Sequence, residues 1–223
     1  MNRSLFFSTL YRKINQSVKY FWWCYLIGNQ LLIGEDDFES RNTISYQVKL
    51  PQSFKIDFEQ SLRLRGNQFS FRQTFTEATI SYKVTDGLKL ILPLRYAIFE
   101  DKVKKRISFG GTYKYKFNDY TMRYKSRYQR VYEKDEDLED LIRNKFTIQY
   151  KSNKDIDPFV SYEIFNPSNS GVGEMNEYRL SVGGAIDLPK KKSAKIYYQY
   201  KIEDLDKKNS EVLNIIGLSL SLN

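Results

Sequence analysis

The sequence predicts an all-β chain, closed as an antiparallel up-and-down transmembrane barrel of about 10–12 strands of the outer-membrane type. Three observations carry this: segments of about twelve residues, apolar and charged residues alternating along them, and no apolar run long enough for a membrane helix. Phe54–Arg65 shows the pattern best. Phe54, Ile56, Phe58, Leu62 and Leu64 alternate with Lys55, Asp57, Glu59, Ser61, Arg63 and Arg65. A period of two gives a strand one apolar face and one charged face. Globular strands run about five or six residues, whereas a tilted strand that crosses a bilayer needs about 9–11. Only alternate residues of such a wall meet lipid, so a hydrophobic content of 41% is enough for it.

Ahead of the strands, residues 1–19 carry Arg3, Arg12, Lys13 and Lys19 without an acid, and Tyr20–Ile33 is moderately apolar. A basic stretch before a short apolar one predicts a signal-peptide-like leader over 1–34, cleaved after Gly34, with a single barrel domain over 35–223. The stretch is bulky at Trp22 and Trp23 and lacks an A-x-A site, and its other reading is a buried amphipathic helix. Its loss would lower the formal net charge from +9 to +5, since it holds four of the 36 basic residues and none of the 27 acids. Cys24, the one cysteine, excludes an internal disulfide and a Cys-based metal site.

The strands follow in order. Thr43–Leu50 turns at Pro51-Gln52-Ser53 into Phe54–Arg65, and Phe71–Val84 turns at Thr85-Asp86-Gly87 into Leu88–Phe99. Pro93 interrupts the latter and predicts a bulge or a local break there. Arg106–Phe117 and Tyr120–Tyr132 flank the two-residue turn Asn118-Asp119. Leu141–Lys151, Asp157–Phe165, Asn176–Leu188, Ala194–Glu203 and Ser210–Asn223 complete eleven strands. Single-chain bacterial barrels take even numbers, so the expectation is a twelfth strand at Leu31–Glu39, or a ten-stranded closure with Thr43–Leu50 outside it. Connections 51–53, 85–87, 118–119, 152–155 and 189–193 are short, and 66–70, 100–105, 133–140, 166–175 and 204–209 are mostly longer and more polar. Tyr82, Tyr115, Phe117, Tyr120 and Tyr150 lie by the short turns, and Tyr96, Tyr132 and Tyr178 by the long loops, as two interfacial girdles would.

Alternation does not say which face is inside. Strand length, the leader and the heavy charge of the polar face favour lipid outside and a polar lumen. That face carries Arg63, Arg95, Arg106, Lys114, Arg123, Lys125, Arg127, Arg143, Lys145 and Arg179 among seventeen basic residues, against Asp57, Glu59, Glu77, Glu163 and Glu177. Fixed charge of one sign predicts a preference for anions, and salt-bridged walls without conduction are the other reading.

Glu59-Gln60-Ser61-Leu62-Arg63-Leu64, Thr76-Glu77 with Ser81-Tyr82-Lys83-Val84, Leu94-Arg95-Tyr96, Ile142-Arg143-Asn144-Lys145, Pro158–Phe165 and Tyr198-Gln199-Tyr200 follow one another in an order that resembles the bacterial family called domain of unknown function 2490, DUF2490. The resemblance spans roughly Asp37 to the C-terminus. It implies an outer-membrane β-barrel and brings no catalytic residues. The terminal Asn223 departs from the C-terminal aromatic that usually signals barrel assembly.

The chain contains no histidine, which excludes Ser-His and Asp-His mechanisms and His-containing metal sites. Asp57 and Glu59, two residues apart on a face crowded with Arg and Lys, read as salt-bridge partners rather than as a catalytic pair. Tyr and Arg of Tyr113–Arg130 fall on opposite strand faces, so they form no stacking groove for nucleic acid. The acidic run Glu133–Asp140 lacks the spacing of a calcium loop and reads as solvated, its other reading being a cation bridge to lipopolysaccharide phosphates. The expectation is therefore a non-enzymatic barrel without a cofactor in the outer membrane of a Gram-negative bacterium, a narrow anion-preferring pore or a structural envelope protein. Its partners would be membrane lipid, lipopolysaccharide and the barrel-assembly machinery. The alternative is a soluble periplasmic barrel that turns its apolar face inward around an apolar ligand.

Overall fold

The computed structural model describes residues 38–66, 69–152, 156–168, 175–189, 192–205 and 210–222; the leader expected over 1–34 lies outside them. Eleven strands form the wall: β1 (Phe38–Lys49), β2 (Phe54–Arg65), β3 (Ser70–Lys83), β4 (Leu88–Phe99), β5 (Val103–Phe117), β6 (Tyr120–Glu133), β7 (Glu139–Tyr150), β8 (Asp157–Pro167), β9 (Glu177–Leu188), β10 (Lys192–Glu203) and β11 (Glu211–Leu222). Each pairs antiparallel with the next, and β1 closes against β11 in a parallel ladder, Phe38 opposite Asn214 through Tyr46 opposite Leu222. The parity requires this. In an odd-numbered meander the first and last strands point the same way, so the closing ladder is parallel. Eleven lies within the expected range of about ten to twelve, and what is corrected is the expectation of an even number. Thr43–Leu50 is not outside the closure, for Thr43–Lys49 belongs to β1; of the further strand expected at Leu31–Glu39, Phe38 and Glu39 open β1 and residues 31–37 lie outside the described residues.

Of the strand boundaries that differ from the sequence reading, three do so for one reason. Phe38–Asn42, Val103–Lys105 and Glu139–Asp140 alternate poorly, yet their backbones pair and their charges meet cross-strand partners. Lys104 reaches Glu133 at 2.6 Å and Arg130 reaches Asp140 at 2.7 Å. The loops shrink accordingly. Two of the five expected long connections, now 66–69 and 100–102, are no longer than most turns of the opposite rim. Pro93 breaks the β4–β5 ladder, which has no pair at Leu92 or Pro93 and resumes in the same register from Ile91–Gly110 to Leu94–Ile107. The bulge falls elsewhere. Arg63 opposes Gln73 and Leu64 opposes Phe71, leaving Arg72 as the extra residue of β3.

The apolar face points outward. Phe109 is 60% exposed and Val182 53%, and Ile44, Phe58, Leu94 and Tyr113 are exposed beside them. The alternative that turned these residues inward around a ligand is not the arrangement found. A twelve-residue strand at about 3.4 Å per residue, tilted by about 40°, rises roughly 30 Å, enough to span a bilayer core. Outward rings pair near the rims, Phe54 with Tyr82 at 4.8 Å and Tyr120 with Tyr150 at 5.2 Å, each pair in cross-strand register.

Inside, β11 is the exception to the charged wall. Leu213 and Ile215 are fully buried, and Gly217, Ser219 and Ser221 continue an uncharged inner face down to the short-turn rim. Tyr197 lies opposite Gly217 on one side and Gly183 on the other. A Cβ at either glycine would overlap Tyr197, so the two bare positions give this side chain room against the wall.

Candidate functional site

Alternation along the eleven strands brings charged side chains together around an internal cavity of about 620 Å³. Ten Lys and Arg and six Asp and Glu line it, so the cavity wall is net cationic. Of the residues singled out from sequence, Arg63, Arg95, Arg106, Arg123, Arg143, Lys145, Arg179, Glu59, Glu163 and Glu177 line this cavity. Arg127 and Glu77 are buried on the same inner face, next to it in register. Lys125 is half-buried there, Asp57 accepts from Gln47 Nε2 at 2.6 Å, and Lys114 is exposed toward the short-turn rim.

Two similar clusters stand on β2–β4 and β7–β9. On β3, Phe75 is covered by Arg63 and Arg95, whose guanidinium carbons lie 5.3 and 3.6 Å from the ring centre. On β8, Phe165 is covered by Arg143 and Arg179 at 4.8 and 4.4 Å. Two residues from each phenylalanine stands a glutamate that anchors one of its arginines: Glu77 accepts from Arg95 at 2.6 Å, and Glu163 accepts from Arg143. Stacking and pairing together fix the guanidinium planes, which a lysine in the same places would not do. Glu177 holds Arg179 and faces Lys201, while Arg106 lies 3.4 Å from Glu77.

A second group crosses the β1–β11 closure. Glu39, fully buried, accepts from both Arg41 and Arg72. Arg41 Nη1 reaches over β11 to donate to Gln199 Oε1 on β10 at 2.8 Å, and Arg72 lies 3.7 Å from Glu203 of the same strand. Arg65 pairs with Glu211, and Ser45 donates to Ser221 at 3.0 Å. A parallel ladder is slightly weaker per residue than an antiparallel one, and these side chains tie the strands on either side of it. Sequence reading missed Glu39 and Arg41 because Phe38–Asn42 has no period, and Arg72 because only the bulge turns its even-numbered position into the barrel. Lys104 was hidden in a stretch read as a loop.

At the rims the charges pair with ordinary geometry. Lys102 lies 2.8 Å from Glu133, whose carboxylate holds the Lys102 ammonium above its usual range. Lys151 bonds to Asp157 and Asp187 at 2.9 and 3.0 Å, which raises it likewise. With Glu133 bound by two lysines and Asp140 by Arg130, the acidic run is occupied at both ends, and no cluster of metal ligands occurs among the described residues.

The sequence matches the model of a family described as "Protein of unknown function (DUF2490)" over residues 40–212. The chain belongs to the DUF2490 family. Among solved structures, the DUF2490 chain is similar in fold to a bacterial polysaccharide outer membrane secretin, with 10% identity and a TM-score of 0.52 over 76% of this chain and 64% of that one. It is similar also to the NanC porin, with 10% identity and a TM-score of 0.50 over 73% and 86% of the two chains. It thus spans somewhat less than two thirds of the secretin's length. At that identity the likeness is one of fold: a closed barrel of the outer-membrane type. No curated protein matches the sequence.

Proposed function

We propose that this DUF2490 barrel resides in the outer membrane of a Gram-negative bacterium and acts there as a narrow pore that favours anions. The observation that carries the reading is the charge of the cavity wall, ten cations against six acids in about 620 Å³, because a ring of fixed charge sets which ion enters. The outward apolar band supports residence in lipid, with lipopolysaccharide against it in the outer leaflet and the barrel-assembly machinery as the agent of insertion. In this reading residues 1–34 export the chain and are removed after Gly34. The fold shared with a porin supports a conduit over a catalyst.

The test is the reversal potential of the purified full chain in a planar bilayer under a KCl gradient. Current carried mainly by chloride is the expected result. A potential of cation sign, or one at zero, overturns the anion preference. Insertion without conductance overturns the pore and leaves a structural envelope protein, a role that the ion pairs along the inner wall would also serve.

A further inference from the structure

The acids of the lumen are unevenly shared. Glu39, Glu77, Glu163 and Glu177 each hold an arginine of their own or of a neighbouring strand. Beside them, the inner face of β6 and β7 is a block of like charge in register. Lys125 stands opposite Lys145 and Arg127 opposite Arg143, and Arg123 stands opposite Lys114 of β5. Like charges directly opposite on one face destabilise a sheet, so this arrangement asks for a counter-charge.

Among the described residues no carboxylate at ion-pair distance supplies it to the whole block. Among the described residues, Arg123, Lys125, Arg127, Lys145 and Lys195 have no carboxylate within 4.0 Å, whereas every other arginine on this part of β7–β9 has one. Glu163, the register partner of Lys145, is bound by Arg143, and Glu77 is bound by Arg95 and Arg106. Glu59 is paired with no described cation and faces Glu77 in register. Arg123, Lys145 and Lys195 line the same cavity, Lys195 from β10.

A second observation points the same way. Among the described residues, four of the five buried side-chain polar atoms without a hydrogen-bond partner belong to Ser108, Arg127 and Gln129, neighbours on β5 and β6. Arg127 is 5% exposed and its Nε has nothing to donate to; Gln129 leaves both its oxygen and its nitrogen unmet. Buried donors in native proteins are met by protein, water or ligand, and Gln129, which lines the cavity, is where this inner face can be met from the lumen.

We infer that the cation ladder of β6–β7, with Lys195 opposite, binds a multivalent oxyanion inside the barrel. Neighbouring charges are spaced about 5 Å across the strands and about 7 Å along them. A monovalent ion neutralises one such position, while an anion bearing several oxygens and charges engages several at once, with a Coulomb energy that grows with its charge. Phosphate-bearing and polycarboxylate solutes share this chemistry. The inference rests on the anion-preferring reading of the lumen and adds a saturable site to it.

The test is titration calorimetry on the full chain folded in detergent, with inorganic pyrophosphate, citrate and acetate as probes at fixed NaCl. Pyrophosphate or citrate is expected to bind saturably and acetate not to. K125Q/K145Q is expected to weaken binding by roughly tenfold or more, K125R/K145R to retain it, and K102Q, at a rim lysine outside the cavity that is paired with Glu133, to leave it unchanged. Heat-modifiability on a gel selects variants that are folded, and the arginine variant carries the argument if the glutamine variant is not. Preference for pyrophosphate assigns a phosphate-bearing solute, and preference for citrate a polycarboxylate. Multivalent probes that bind no more tightly than acetate overturn the site, as does equal loss in K102Q. Chloride-selective current in the bilayer alongside that result would leave the pore reading standing, so the two failures are distinguishable.

Discussion

The Tyr197 ring occupies the space that a side chain at Gly217, its cross-strand partner on β11, would fill. Lumen width at this level is thus set by a residue that is absent as much as by one that is present. Gly217→Val is expected to push the ring toward the lumen and lower single-channel conductance, and adding Tyr197→Ala to the same chain should restore it. Unchanged conductance in the single variant would show that the ring does not bound the passage.

Phe109→Arg and Leu94→Arg put a guanidinium on the outward face near mid-strand, where a charge facing lipid costs about 2–4 kcal/mol. Thr112→Arg, three residues from Phe109 and on the inner face, should cost far less in the same urea titration of barrels folded into vesicles. Equal losses for all three would place the wrong face against the lipid.

Glu39→Gln removes the carboxylate that holds both Arg41 and Arg72 at the closure. Leaving the buried Arg41 without its counter-charge costs about 3–5 kcal/mol, while Arg72 keeps Glu203. Glu211→Gln, whose pair with Arg65 is 35% exposed on both sides, should cost at most about 1 kcal/mol. The temperature at which the folded band disappears on a gel, measured for both, checks the order.

Phe165→Leu and Phe75→Leu keep an apolar side chain and delete the ring beneath two guanidinium groups. Each contact of this kind contributes about 0.5–2 kcal/mol, so a loss of that order in urea stability is expected, together with a broader spread of open-channel current levels as the arginines lose their fixed planes.

What could be read from the sequence, and what could not, divides along one line. Alternation fixed by the pleat is local, so the outward row Phe54, Ile56, Phe58 and the inward row Asp57, Glu59, Arg63 are legible in twelve letters. Closure is not local. Nothing in Thr43–Leu50 says that it lies beside Ser219–Leu222, nearly the whole chain away, and an argument from even strand numbers pointed elsewhere. Arg72 shows the same limit within one strand, because a single unpaired residue reverses which side a position faces. Ser108 and Gln129 are uncharged and carry no signal of their own in the alternation, and their unmet hydrogen bonds become visible only when β5 and β6 are placed side by side.

The parallel closure also decides how this chain can be engineered. Phe38 leaves β1 at the rim that carries 66–69, while Leu222 leaves β11 beside the turn between β9 and β10. The two ends of the wall therefore sit a full barrel height apart, roughly 30 Å, which about nine extended residues would bridge. A circular permutant that joined them would have to thread its linker through the lumen, and reporter tags fused beyond the two ends would be displayed on opposite sides of a membrane.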